Sequence, residues 1–152
     1  LHRYVDGLHA TPPTSKPIAG RNLELIRLFQ SWGDLLGDCH ASLFKETESD
    51  GTPVSMTRTD DYYYHAQGVV HALHHLSAAV AREYADDFAN RSAILQLMRD
   101  VDAGLGAAAR TKPLMVLDGG PAGLFANHRR NLDAAIVDAR QKIYSIREEL
   151  ER

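Results

Sequence analysis

The chain has 152 residues, 44% of them apolar and 24% charged, with 17 basic against 20 acidic side chains and a formal net charge of -3. These are ordinary values for one globular domain with one sizeable core, and the lack of basic excess argues against a nucleic-acid partner. The single cysteine, Cys39, rules out an internal disulfide, and no apolar run approaches the roughly 20 residues that a membrane span needs.

The chain opens on Leu1 rather than methionine and shows no signal-peptide pattern. A processed or truncated piece of a longer protein is therefore expected. Residues 1–20 carry Pro12, Pro13 and Pro17 and no apolar period. They read as an extended arm or linker, because proline blocks a helix through them. Residues 21–152 read as the folded domain.

A first helix is predicted over about 21–44. Its stripe of Leu25, Phe29, Trp32, Leu36, Cys39 and Leu43 has the 4-3-4-3-4 spacing of a seam that packs helices at shallow angles. Gly33 and Gly37 lie off that seam. Each costs about 1 kcal/mol of helix propensity, so a close neighbour or a bend is expected there. Residues 45–58 are polar, contain Gly51 and Pro53, and read as a loop.

A second helix is predicted over about 60–89, capped by Thr59 or Asp60. Its apolar stripe is read as Tyr62, Ala66, Val69, Leu73, Leu76, Val80, Tyr84 and Phe88, with Tyr62 entering the core and Tyr63 and Tyr64 at its edge. The short Asn90-Arg91-Ser92 connection returns a third helix antiparallel beside it. That helix runs from a Ser92 cap to about Arg110 along Ile94, Leu97, Met98, Val101, Leu105 and Ala108. Pro113 stops it, and Leu114 to Leu117 reads as a short extended run tucked onto the bundle. Asp118, Gly119 and Gly120 form a turn, and Pro121 opens a last helix. The seam of that helix is Leu132, Ile136, Ala139, Ile143, Ile146 and Leu150, with His128 inside the same stripe. The fold predicted is all-α, an up-down antiparallel bundle of four helices with an extended N-terminal arm.

The second helix holds four of the eight histidines, His65, His71, His74 and His75. His71 and His75 are one turn apart and could chelate one metal ion. A dimetal bundle would add Glu-x-x-His elements, and the sequence has none. His75 lies nearly opposite the predicted seam, among Gly68, Ala72 and Ala79. Small residues there would admit a close helix crossing, so a structural or interface role outranks metal binding. No cofactor and no catalytic set is predicted: no Gly-x-Ser-x-Gly, His-Glu-x-x-His or Cys-x-x-Cys is present. Cys39 reads as a core residue. Candidate polar-site residues are Tyr64, His75, Asp118, Asn127 and His128. The last three surround the DGGPAG loop, where a buried imidazole satisfying loop carbonyls is favoured over a pocket.

These residues resemble the C-terminal part of an uncharacterised bacterial family, domain of unknown function 2333. An Asp-Asp-x-aromatic-Tyr-x-Ala-x-Gly opening is matched by Asp60, Asp61, Tyr63, Tyr64, Ala66 and Gly68. Ala-Leu-x-His-Leu is matched by Ala72, Leu73, His75 and Leu76. Met-Val-Leu-Asn-Gly is matched by Met115, Val116, Leu117 and Gly119, with Asp118 in place of asparagine, and Ala-Asn-His by Ala126, Asn127 and His128. The likeness covers about residues 56–150, while the first helix matches only in pattern. It departs at His71 and His74, which weakens chelation further. The resemblance implies a membrane-anchored protein whose soluble C-terminal piece stands on the periplasmic side of the inner membrane, the anchor lying outside this chain. It implies no reaction. The function expected is a non-enzymatic protein-protein interaction or structural module that meets a protein partner or a second copy. The alternative is a metal- or small-ligand-binding bundle using His75 and His128. An elongated apolar ligand between helices is neither supported nor excluded.

Overall fold

The structure, a computed structural model, describes residues 21–110 and 128–152. The arm, the Leu114–Leu117 run, Asp118 and Asn127 lie outside these residues. The described chain is all-helical. Its elements are α1 (Arg21–Leu43), α2 (Met56–Glu83), the single turn α3 (Ala85–Phe88), α4 (Ser92–Ala109) and α5 (His128–Glu151). α1 packs on α2 and α5, and α4 packs on those same two helices from the other side. Four long helices thus surround one core.

The two outer seams form as their spacing predicts. Leu25, Phe29, Trp32, Leu36, Cys39 and Leu43 of α1 are buried against Leu132, Ile136, Ala139, Ile143, Ile146 and Leu150 of α5. Removing a side chain such as Ile143 would cost about 2–5 kcal/mol, the transfer energy plus a cavity. The expected close neighbours of the α1 glycines are α5 side chains. A Cβ on Gly33 would stand 2.8 Å from the Tyr144 ring, and one on Gly37 would stand 2.9 Å from the Arg140 guanidinium. Arg140 Nε also donates to the Gly33 carbonyl at 3.0 Å. These glycines let a polar pair of α5 lie flat on α1.

The seam of α2 differs from expectation by one residue. Its buried row is Tyr63, Ala66, Val70, Leu73 and Ser77. Leu76 is 48% exposed. Tyr62 is only half-buried and turns to the preceding loop, where its hydroxyl donates to Glu48 at 2.9 Å. Lys45 Nζ sits 2.7 Å from the same carboxylate. Val69, Val80 and Tyr84 are partly buried against the core.

The 45–58 loop is a tight hairpin rather than open chain. Thr47 and Pro53 form an isolated antiparallel bridge, and Gly51 turns the chain at φ 82, a left-handed conformation that glycine adopts without strain. α2 therefore starts at Met56, earlier than expected, and its cap is Ser55, which accepts from the Arg58 N–H. Thr59 already donates its N–H to the Ser55 carbonyl at 2.9 Å, so it is helical and cannot be the cap. At the other end α2 stops at Tyr84, whose φ of -106 and ψ of 21 interrupt the helix expected to reach Ala89. Asp86 and Asp87 then open α3, where carboxylates favour the start of a helix over its interior. Ser92 is the first residue of α4 and not its cap; Arg91 holds the cap position without a side-chain bond.

Candidate functional site

Chemically distinctive side chains gather where α2 crosses α4. Ser77 is fully buried, the one buried polar side chain among the described residues. A hydroxyl in that setting needs partners, because an unpaired buried donor costs roughly 1–3 kcal/mol. Ser77 Oγ lies 2.8 Å from the His74 carbonyl and 3.0 Å from Asp102 Oδ1 of α4. Its single proton is shared between them. His74 Nδ1 stands 3.0 Å from the same carboxylate oxygen. That approach is out of line for a hydrogen bond and leaves Nδ1 buried without a hydrogen-bond partner. The contact is therefore electrostatic proximity, set by packing. The His74 ring is pressed on α4: a Cβ on Gly106 would meet His74 Cε1 at 2.9 Å.

Ser77, Asp102 and His74 form a polar knot with a recess on each side. One recess, of about 540 Å³, is lined by His71, His74, His75, Gly106, Ala109 and Arg110. The His71 and His75 rings meet edge-on at 4.7 Å between centroids, and His74 and His75 lie 5.2 Å apart. The other recess, of about 430 Å³, has an apolar floor of Ala78, Ala81, Leu95 and Met98 between Arg82 and Arg99. The knot is not a nucleophilic triad. Asp102 receives the serine hydroxyl, and among the described residues no hydrogen bond joins the His74 ring to Ser77 Oγ, so the serine–imidazole pair of a triad is not formed. Among the described residues no three His, Cys, Asp or Glu side chains converge as a metal site.

The candidate residues disperse. His75 is exposed at the mouth of the imidazole recess. Tyr64 is 46% exposed on the same face of α2, three turns earlier, with its ring edge-on to Tyr63 at 5.5 Å. His128 is half-buried at the first residue of α5 and does not line the recess that holds His75. Asp118 and Asn127 lie outside the described residues. The tight crossing expected around His75 is absent there: among the described residues nothing comes within 4 Å of a Cβ on Gly68. It occurs one residue earlier, at His74, against Gly106.

Residues missed in the sequence sit at two of the polar junctions between helices. Ser77 and Asp102 are one. The other joins the end of α1 to the start of α5. His40 Nδ1 pairs with Asp133 Oδ1 at 2.6 Å, and Arg129 donates to the Leu43 carbonyl, satisfying an orphan of the α1 C-terminus. Cys39 beside them is buried, and burial followed by the Asp38 charge pushes its thiol up to about 11. It is a poor nucleophile.

Fold and seam together define an all-helical domain with one core and a polar knot in one interhelical seam. The chain belongs to DUF2333, a family of uncharacterised proteins conserved in bacteria, whose sequence model matches residues 32–152. The match takes in the second half of α1 as well as the region whose motifs carry the resemblance. No curated protein and no solved structure matches the chain.

Proposed function

We propose that the four long helices form an up-down antiparallel bundle that works by contact with a protein, using the outward face of α2. The observation that supports this reading is the character of that face. Tyr64, Gly68, His71 and His75 follow one another at helical spacing opposite the buried row, and all are exposed. Ala72 and Leu76 flank them, also exposed. Small residues beside large exposed side chains let a second helix approach closely and still bury apolar area. The face carries no lysine, arginine, aspartate or glutamate between Tyr62 and Ala81, and depletion of charge is a property of interface centres.

Where the domain stands is part of the same proposal. The resemblance of residues 56–150 supports the periplasmic side of a bacterial inner membrane. No helix of the described residues is long and apolar enough to cross a membrane. Fusion of the full-length gene product to a reporter active only in the periplasm tests the location.

The interaction is tested by co-purification from cells expressing full-length protein. Leu76→Glu should remove a partner that Val137→Glu, an equally exposed change on α5, retains. Equal retention by both variants would contradict the reading.

A further inference from the structure

We propose that the recess between Arg82 and Arg99 binds a single-chain fatty carboxylate, its tail laid along the α2–α4 seam and its head held by the two guanidiniums. This site is separate from the outward face of α2 and does not depend on it.

Ala78 and Ala81 of α2 face Leu95 and Met98 of α4, and Ser77 ends the recess with its hydroxyl already committed to the knot. Both walls are helical, so their backbone N–H and C=O groups are spent inside the helices. A peptide laid here would bury amide groups that find no partners, at a cost of roughly 1–3 kcal/mol each. An acyl chain has no such groups. Alanine leaves room for it, and the flexible thioether of Met98 can fit its contour. The volume of about 430 Å³ is within the range of small-ligand sites.

Arg82 and Arg99 come from different helices to one recess, and neither guanidinium has a hydrogen bond or ion pair among the described residues. Arg99 does not pair with Asp102 one turn away, whose carboxylate is turned to Ser77 and His74. The recess therefore presents two uncompensated cations over an apolar floor, with its one acid at the knot. That charge pattern selects an anion. It also orients the ligand, with its head at the arginines and away from Asp102. Arginine suits the task, since its planar fork matches a carboxylate.

The test is calorimetric titration of the 152-residue chain with laurate below its micellar concentration, beside dodecanol as the uncharged control. Methyl-labelled methionine reports the location, because Met98 lines the recess and Met56, 79% exposed at the start of α2, does not. Saturable one-to-one laurate binding that shifts the Met98 methyl signal is expected, with dodecanol at least about tenfold weaker. Arg82→Ala with Arg99→Ala should weaken laurate by about tenfold or more. Both side chains are exposed, so the fold should survive, and circular dichroism checks it. Ala81→Phe, which fills the floor, should abolish binding of laurate and dodecanol alike. No saturable binding, binding with an unmoved Met98 signal, or binding indifferent to both sets of substitutions would overturn the assignment. So would binding of an acidic peptide at this recess in preference to laurate. If Leu76→Glu abolishes partner capture while laurate still binds, or if capture persists when laurate fails to bind, the two sites are distinguished.

Discussion

The His74 ring rests on Gly106, so close that a methyl group there would stand 2.9 Å from Cε1. The absence of a side chain in the last turn of α4 is what lets α2 and α4 approach at this level. A glycine inside a helix sacrifices about 1 kcal/mol relative to alanine, and here that loss is offset by the fit of an imidazole.

The first prediction is a change of sign. Gly106→Ala should destabilise the domain by about 1–3 kcal/mol, because the ring must give up its fit on α4 to make room for the methyl group. In a His74→Ala background the same substitution should stabilise, by up to about 1 kcal/mol, since only the propensity gain remains. Denaturant melts of the four proteins in the double-mutant cycle measure it. Additive effects would mean that the two residues do not touch.

Tyr63 is a second site where polarity and packing disagree. It is fully buried, its hydroxyl has no hydrogen-bond partner among the described residues, and burial, then Tyr64, raises its pKa. Tyr63→Phe should therefore leave stability unchanged or raise it by about 1 kcal/mol. A loss greater than about 1 kcal/mol in a thermal melt would show that the hydroxyl is satisfied after all.

How far the sequence could be read is clearest by comparing helices. α1 and α5 carry unambiguous seams whose alternatives are mostly charged or polar, and their buried residues are those of the 4-3-4-3-4 spacing. α2 offers two rows that share Ala66 and Leu73. One runs through Tyr62, Val69 and Leu76, the other through Tyr63, Val70 and Ser77. Hydrophobicity favours the first, since leucine should outrank serine. The second is buried because Asp102, supplied by α4, receives the Ser77 proton. That partner is remote in sequence, so no local period reveals it. The same one-residue shift moves the tight crossing from His75 to His74. Tyr64 and His75 share a face as their spacing implies, but the joining of His40 to Asp133 across 93 positions has no sequence signature.

Cys39 supplies a third prediction. With its thiol raised to about 11 and its side chain in the α1 seam, disulfide-exchange reagents at about pH 8 should modify it at least about a hundredfold more slowly in the native protein than in denaturant. Comparable rates would place the thiol outside the core.

The hairpin before α2 should respond to acid. Glu48 is held below its ordinary value of 4.5, first by Lys45 and then by the Tyr62 hydroxyl. A depressed carboxyl pKa contributes stability above the unfolded value, and that contribution disappears as pH falls through the folded value. The Glu48 carboxyl carbon should therefore titrate below 4.5 by NMR and move back up in Lys45→Met. A wild-type midpoint at or above 4.5 would show that the cluster is not formed.

Contact of a protein with the α2 face that lacks lysine, arginine, aspartate and glutamate is tested most directly by photo-cross-linking in cells. A photoreactive phenylalanine analogue at position 75 of the full-length protein should give one discrete protein adduct, abolished on adding Leu76→Glu, while the same analogue at position 137 on α5 should give none. Equal labelling at both positions, or no adduct at position 75, would contradict the account.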